Sequence, residues 1–223
     1  MSISLNETER FDALAGRLYS AVVSDILDTL GHPDQVVRAG LRPATSGDWT
    51  LVGRVRTARA DAVSERPERP YAELLGLIDT LQTGDVLMID AGGRDSSGIF
   101  GGLLATAVKA AGGRGAIIDG DTRDLRELER LAFPTLARGG CPADSLGRDE
   151  VVETDGPIEC GGVRIESGDL VVADSDGIVV VPRALEQQVV ELALEKVAGE
   201  DVVRRELANG MPASVAFERY GIL

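Results

Sequence analysis

The chain has 223 residues, a formal net charge of −14 and a pI near 4.5. The resulting field repels phosphate backbones and anionic lipid surfaces, so neither a nucleic-acid nor a membrane role is expected. No apolar run approaches the roughly 18 residues of a membrane span, and the N-terminal MSISLNETERFD has neither the basic nor the apolar region of a signal peptide, so a cytoplasmic location is expected. The length suits one α/β domain over residues 1–223.

In chain order, Asn6 or Thr8 reads as an N-cap. Apolar positions at Phe11, Leu14 and Leu18, then Val22, Val23, Ile26, Leu27 and Leu30, predict two helices stopped by Gly31. Leu51 to Ala60 reads as a strand and Tyr71 to Leu81 as a helix, with an exposed loop over Ser64 to Pro70 between them. Thr83-Gly84-Asp85 is a turn delivering the buried strand Val86 to Asp90, followed by a glycine-rich loop from Ala91 to Gly102. A helix from Leu103 to Ala111, a strand from Gly115 to Asp119, a loop from Gly120 to Asp124 and a helix from Leu125 to Leu131 complete a βαβα pattern, which implies some parallel sheet. Beyond Pro134 the chain is β-rich, with strands near Thr135 to Ala137, Val151 to Thr154, Ile158 to Ile165, Asp169 to Asp174 and Gly177 to Val181. A long helix from Arg183 to Leu207 follows.

The candidates for chemistry are few. His32 is the only histidine, and Cys141 and Cys160 have no metal-motif company, so any metal is expected to have oxygen ligands. Lys109 and Lys196 are the only lysines, both in amphipathic helical runs, which makes amine catalysis the weaker option. The segment Gly92 to Gly102 has neither dinucleotide-loop nor phosphate-loop spacing. What it offers is a helix start at Gly101 to Leu104, whose free N–H groups can take a small carboxylate. Arg123-Asp124 follows the next strand, at the same carboxyl edge of the sheet. An Arg fork fits a carboxylate or keto oxygen and an Asp can hold a hard cation, although a surface ion pair at a helix start has the same pattern.

The runs Gly101-Gly102-Leu103-Leu104-Ala105-Thr106-Ala107 and Gly115 to Asp124 resemble the RraA-like family, with Ser24-Asp25, Gly84-Asp85, Gly168-Asp169 to Pro182 and Tyr220-Gly221 as weaker landmarks. That family contains divalent-metal-dependent 4-hydroxy-4-methyl-2-oxoglutarate aldolases, oxaloacetate decarboxylases and the regulator of RNase E activity. The resemblance implies a compact α/β domain of the swivelling β/β/α type, with N-terminal helices and a long C-terminal helix. It implies that the backbone of Gly101, Gly102, Leu103 and Leu104 holds the carboxylate of a 2-oxo acid, that Arg123 binds substrate oxygens and that Asp124 binds Mg²⁺ or Mn²⁺. It further implies a homotrimer, or a hexamer of two trimers, with Glu200 supplied as an acidic residue to a neighbour's pocket.

The presence of the Arg-Asp pair favours the enzyme branch over a non-catalytic regulator that binds a protein partner. The expected reaction is cleavage of a 4-hydroxy-2-oxo-dicarboxylate through a pyruvate enolate, with oxaloacetate decarboxylation at the same site as the alternative. One departure stands out: family aldolases carry an acidic residue twenty-one positions before the motif arginine, and here that position is Gly102. Loss of a proton-handling group typically costs about 10²–10⁴-fold and should penalise cleavage more than decarboxylation, so Gly102→Asp is expected to narrow the gap between the two.

Overall fold

A computed structural model describes residues 6–38 and 40–222 of the chain. Helix α1 (Glu7–Ala15) opens with a capping box: the Asn6 side chain accepts from the Glu9 N–H at 2.9 Å, and the Glu9 carboxylate accepts from the Asn6 N–H at 3.0 Å. Helix α2 (Ser20–Thr29) follows, and Gly31 with φ +83° ends the helical run as expected. The chain then forms a two-residue strand β1 (Arg42–Pro43), the long strand β2 (Leu51–Ala62), α3 (Ala72–Asp79), β3 (Asp85–Phe100), α4 (Gly102–Ala110), β4 (Gly115–Thr122), α5 (Leu125–Arg130) and β5 (Thr135–Gly140). Strands β6 (Asp149–Thr154), β7 (Ile158–Cys160), β8 (Val163–Ile165), β9 (Leu170–Ala173) and β10 (Ile178–Val181) come next. Helices α6 (Glu186–Ala208) and α7 (Ala213–Tyr220) close the chain.

The main sheet has the order β1-β5-β4-β3-β2-β9-β10, with β6 sharing the far edge of β2. Strands β2, β3, β4 and β5 run parallel, whereas β1, β6, β9 and β10 pair antiparallel to their neighbours. The centre of β3 is apolar without interruption because it is covered on both faces: Val86, Leu87, Met88 and Ile89 are all fully buried. Side chains alternate across the sheet. Leu87 and Ile89 join Leu74, Leu77 and Val108 beneath α3 and α4, while Val86 and Met88 join Ile158, Cys160, Val163 and Ile165 of the β7–β8 hairpin. A third core packs Phe11, Val22, Val23, Leu27, Val189 and Ala193 of α1, α2 and α6 against β9 and β10. Each fully buried Leu or Ile of this kind contributes about 1.5–3 kcal/mol of transfer free energy.

Four expectations are corrected. The glycine-rich segment is not a free loop but the second half of β3, in which residues 90–100 lie opposite residues 119–122 of β4 through three register shifts. Gly92 and Gly93, at φ +60° and +73°, make the first bend, and Asp149 anchors the excursion by accepting from Arg94 Nε at 2.6 Å and Ser96 Oγ at 2.9 Å. Strand β4 correspondingly runs on to Thr122 rather than ending at Asp119. The stretch Ile158 to Ile165 is a hairpin, turned by Gly161 and Gly162 at φ +54° and +84°. The long helix starts at Glu186, three residues later than expected, and a further helix, α7, follows it.

Candidate active site

Parallel pairing of β3 with β4 brings their carboxyl ends side by side, with Phe100 in register with Thr122. The Arg123 N–H and the Thr122 hydroxyl both donate to the Phe100 carbonyl, at 2.8 and 2.7 Å. This clamp sets the Arg123-Asp124 pair against the start of α4. Asp124 has φ +58° and ψ +37°, a left-handed conformation that Asp tolerates better than most side chains. The bend turns its carboxylate away from its own helix, where it makes no capping bond, and toward the neighbouring one: Gly102 N–H donates to Asp124 Oδ2 at 3.1 Å. The carboxylate therefore sits at the positive end of α4, beside the N–H groups of Leu103 and Leu104 that helix geometry leaves unpaired.

The two glycines here are demanded by close approach. A Cβ at Gly101 would lie 2.7 Å from Asp124 Oδ2 and 2.7 Å from Arg123 Cγ. At Gly98 it would lie 2.5 Å from the Cys141 carbonyl oxygen and 2.7 Å from Arg123 Cβ. The bare Gly98 backbone lets the chain leaving β5 cross over β3, with Gly98 N–H donating to the Ala143 carbonyl at 3.0 Å. That crossing delivers Asp144 and Ser145 to the site.

The result is a cavity of 280 Å³ lined by Arg123, Asp124, Gly98, Gly101, Leu103 and Leu104, and also by Tyr71, Leu75, Ile99, Asp144 and Ser145. Arg123 lies between two carboxylates, with Nε 3.6 Å from Asp124 Oδ1 and Nη1 3.5 Å from Asp144 Oδ1. The Tyr71 hydroxyl donates to Asp144 Oδ1 at 3.1 Å. Tyr71 is itself left-handed, at φ +62°, and its N–H is held by Glu150 Oε1 at 2.6 Å. Two of the four described non-glycine residues with positive φ thus line this one cavity, a clustering of backbone strain that marks functional sites. The Leu146 N–H, reinforced by the Tyr71 hydroxyl and Arg123, outweighs burial and holds the Asp144 carboxyl below the usual range. Burial, then the bond to Asp144, pushes the Tyr71 phenol up and keeps it protonated.

The structure brings Arg123, Asp124, Gly101, Leu103 and Leu104 together, with Gly102 at the helix start beside them, and keeps Glu200 apart. Glu200 accepts from the Tyr19 hydroxyl on the α2–α6 side of the molecule, with Arg204 4.0 Å away, and does not line the cavity of its own chain. Burial and the Glu200 contact push the Tyr19 phenol up to about 12. Sequence reasoning missed Tyr71 and Asp144. Tyr71 reads only as the start of a helix, and Asp144 lies in an irregular stretch with no periodic or motif signal.

Among the described residues no group of three or more His, Cys, Asp or Glu side chains could enclose a metal. A half-exposed Asp124 carboxylate, with the bare Gly101 backbone beside it, would suit a hard cation that retains most of its water shell, as Mg²⁺ does.

Fold and cavity together define an α/β protein with a cleft, lined by Arg123, Asp124 and Asp144, at the carboxyl edge of parallel strands. The chain belongs to the RraA-like family (Aldolase/RraA), whose profile it matches over residues 20–180. A Halalkalibacterium halodurans protein provisionally named 4-hydroxy-4-methyl-2-oxoglutarate aldolase is 31% identical over 195 residues, covering 87% of each chain. Among solved structures, an uncharacterised Pseudomonas syringae protein superposes with a TM-score of 0.81 at 26% identity, over 92% of this chain and 95% of that one. Streptomyces coelicolor RraAS2, described as an unusual member of the RNase ES inhibitor RraA family, superposes with a TM-score of 0.77 at 30% identity, over 90% of this chain and 98% of that one. Among the described residues no helix is long and apolar enough to cross a membrane.

Proposed function

We propose that the protein is a divalent-metal-dependent carbon–carbon lyase that cleaves a 4-hydroxy-2-oxo acid to pyruvate and a second carbonyl product, with 4-hydroxy-4-methyl-2-oxoglutarate as the reference substrate. The observation that carries the reading is the meeting of a helix N-terminus, an Arg fork and a free-standing carboxylate in one cavity. The Leu103 and Leu104 N–H groups take the substrate carboxylate, and Arg123 faces the keto oxygen on which negative charge develops as the bond to C3 breaks. A fixed donor of this kind is worth about 3–4 kcal/mol in the transition state. A cation held by Asp124 and otherwise by water would add Lewis-acid polarisation of the same oxygen. The apolar walls formed by Ile99 and Leu104 strengthen these interactions by excluding water.

Asp124→Asn tests the assignment without discarding the α4 contact, because the amide oxygen still accepts from Gly102 N–H. The expected outcome is an unchanged melting temperature with pyruvate release cut at least about 10²-fold, and activity of the natural protein abolished by EDTA and restored by Mg²⁺ or Mn²⁺. Full activity in Asp124→Asn would overturn the reading. Gly102, which offers no carboxylate, favours a second reading, oxaloacetate decarboxylation, in which no substrate proton is removed.

A further inference from the structure

Aldol cleavage needs a group that takes the proton of the substrate 4-hydroxyl, and three carboxylates lie near enough to consider. Asp124 has one oxygen on the Gly102 N–H and the other facing Arg123 Nε. Glu127 packs its methylenes against Gly102, but its carboxylate is paired with Arg130 at 3.2 Å and does not line the cavity. Asp144 lines the cavity and has a divided environment. The Tyr71 hydroxyl, the Leu146 N–H and Arg123 Nη1 all address Oδ1, at 3.1, 3.3 and 3.5 Å, while no hydrogen bond among the described residues is made to Oδ2. One oxygen is addressed by three groups, from the start of α3, the end of β4 and its own loop, and the other is left for an incoming donor.

Resting on the lyase reading above, we propose that Asp144 is the proton acceptor of this site and that Tyr71 is its positioning residue. Asp144 Oδ2 takes the 4-hydroxyl proton. The freed O–H pair forms the new carbonyl at C4, and the C3–C4 pair moves to C2–C3, leaving the enolate oxygen against Arg123. Return of the proton from Asp144 to C3 yields pyruvate and restores the carboxylate. Arg123 bridges the two events because it touches Asp144 and also faces the oxygen that becomes negative. The left-handed Tyr71 backbone, locked by Glu150, fixes the phenol that orients Asp144. Decarboxylation of oxaloacetate at the same site removes no substrate proton and has no use for this acceptor.

The test compares kcat/KM for cleavage of 4-hydroxy-4-methyl-2-oxoglutarate and for decarboxylation of oxaloacetate in the full chain with Mg²⁺. Asp144→Asn keeps the volume and an acceptor for Tyr71. It is expected to lower cleavage by about 10²–10⁴-fold relative to decarboxylation. Asp144→Glu should recover part of that ratio, and Tyr71→Phe should move the ratio in the same direction by a smaller factor. Equal losses in both reactions, or no loss of cleavage, would overturn the assignment of Asp144. A natural protein that decarboxylates but does not cleave removes Asp144 alone from the mechanism, whereas one that does neither removes the lyase reading with it.

Discussion

Gly102 shows how one residue's environment limits what can be restored there. A Cβ on it would lie 2.8 Å from Glu127 Cγ and 3.0 Å from Glu127 Cβ, the rigid base of that side chain rather than its mobile end. A side chain at 102 and Glu127 in its present rotamer exclude each other. Overpacking of this kind costs about 1–3 kcal/mol, and the favourable placement of an acid at a helix N-terminus returns about 0.3–1 kcal/mol. Gly102→Asp is therefore expected to lose about 1–2 kcal/mol of stability in denaturant titration, and Gly102→Asp combined with Glu127→Ala to regain most of it. From the sequence alone, Gly102→Asp is expected to narrow the gap between cleavage and decarboxylation. With Asp144 already present as acceptor, that expectation is replaced by a ratio within about threefold of the natural protein, well short of the 10²-fold or more that a newly supplied acid–base group brings. Additive losses in the double variant would show that Glu127 is not what the new side chain meets.

At the scale of elements, the helical layer is fastened to the sheet through Glu186, buried at the start of α6. It pairs with Arg54 of β2 and with Arg10 of α1 at 2.7 Å, while Arg54 also reaches Glu7 at 2.9 Å and lies over the Phe11 ring. Burial pushes the Glu186 carboxyl up, but its bonds to Arg54 and Arg10 outweigh this and hold it below the ordinary range. The depressed folded value means that the contribution is fully present above the unfolded pKa of about 4.3 and fades as the pH falls through the folded one. Glu186→Ala leaves the half-buried Arg54 without its main partner and is expected to cost about 3 kcal/mol at pH 7, with the difference from the natural protein shrinking toward pH 3. A difference that did not shrink would assign the loss to packing instead. The helical layer and the central strands are where the sequence is most readable: the Asn6 cap, the α1 and α2 apolar stripes and the uninterrupted apolar runs Val86–Ile89 and Ala116–Ile118 are local signals that packing then uses. The second half of β3 was illegible for a physical reason. Glycine signals a turn locally, but this segment is held extended by Arg94, Ser96 and Ser97 on Asp149, a partner more than fifty residues away that no local pattern announces. The site divides the same way: Arg123 and Asp124 stand at a strand end where topology exposes ligands, whereas Asp144 arrives by a chain crossing that only the bare backbone of Gly98 permits.

For the whole molecule, the position of Glu200 sets a geometric question that one chain does not answer. It sits on α6, in the layer that covers β9 and β10, while the cavity opens beside α3, α4 and α5. Any part Glu200 plays at a cavity must be played at that of another copy. The cavity mouth also carries apolar side chains with no cover in the single chain: Leu103 is 88% exposed, Leu75 44% and nearby Leu125 43%. A ring in which α6 of one copy approaches α4 of the next would hide these groups and bring an acid to the site, as the family resemblance implies. Light scattering is then expected to give at least three times the 23.5 kDa chain mass. Complementation gives the sharper test. Glu200→Gln and Asp124→Asn should each be nearly inactive alone. A ring assembled from equal amounts of the two should place an intact Asp124 beside an intact Glu200 at roughly a quarter of its sites, by random mixing of equivalent positions in a cyclic assembly. Recovery of about a quarter of the natural activity places Glu200 in trans. No recovery in demonstrably mixed rings means that Glu200 serves its own chain, as the partner of Tyr19. The Tyr19 phenol has its own signature: burial first, and the Glu200 contact second, raise it to about 12, so its contribution to stability is fully present below its unfolded value near 10 and is lost as the pH climbs toward 12.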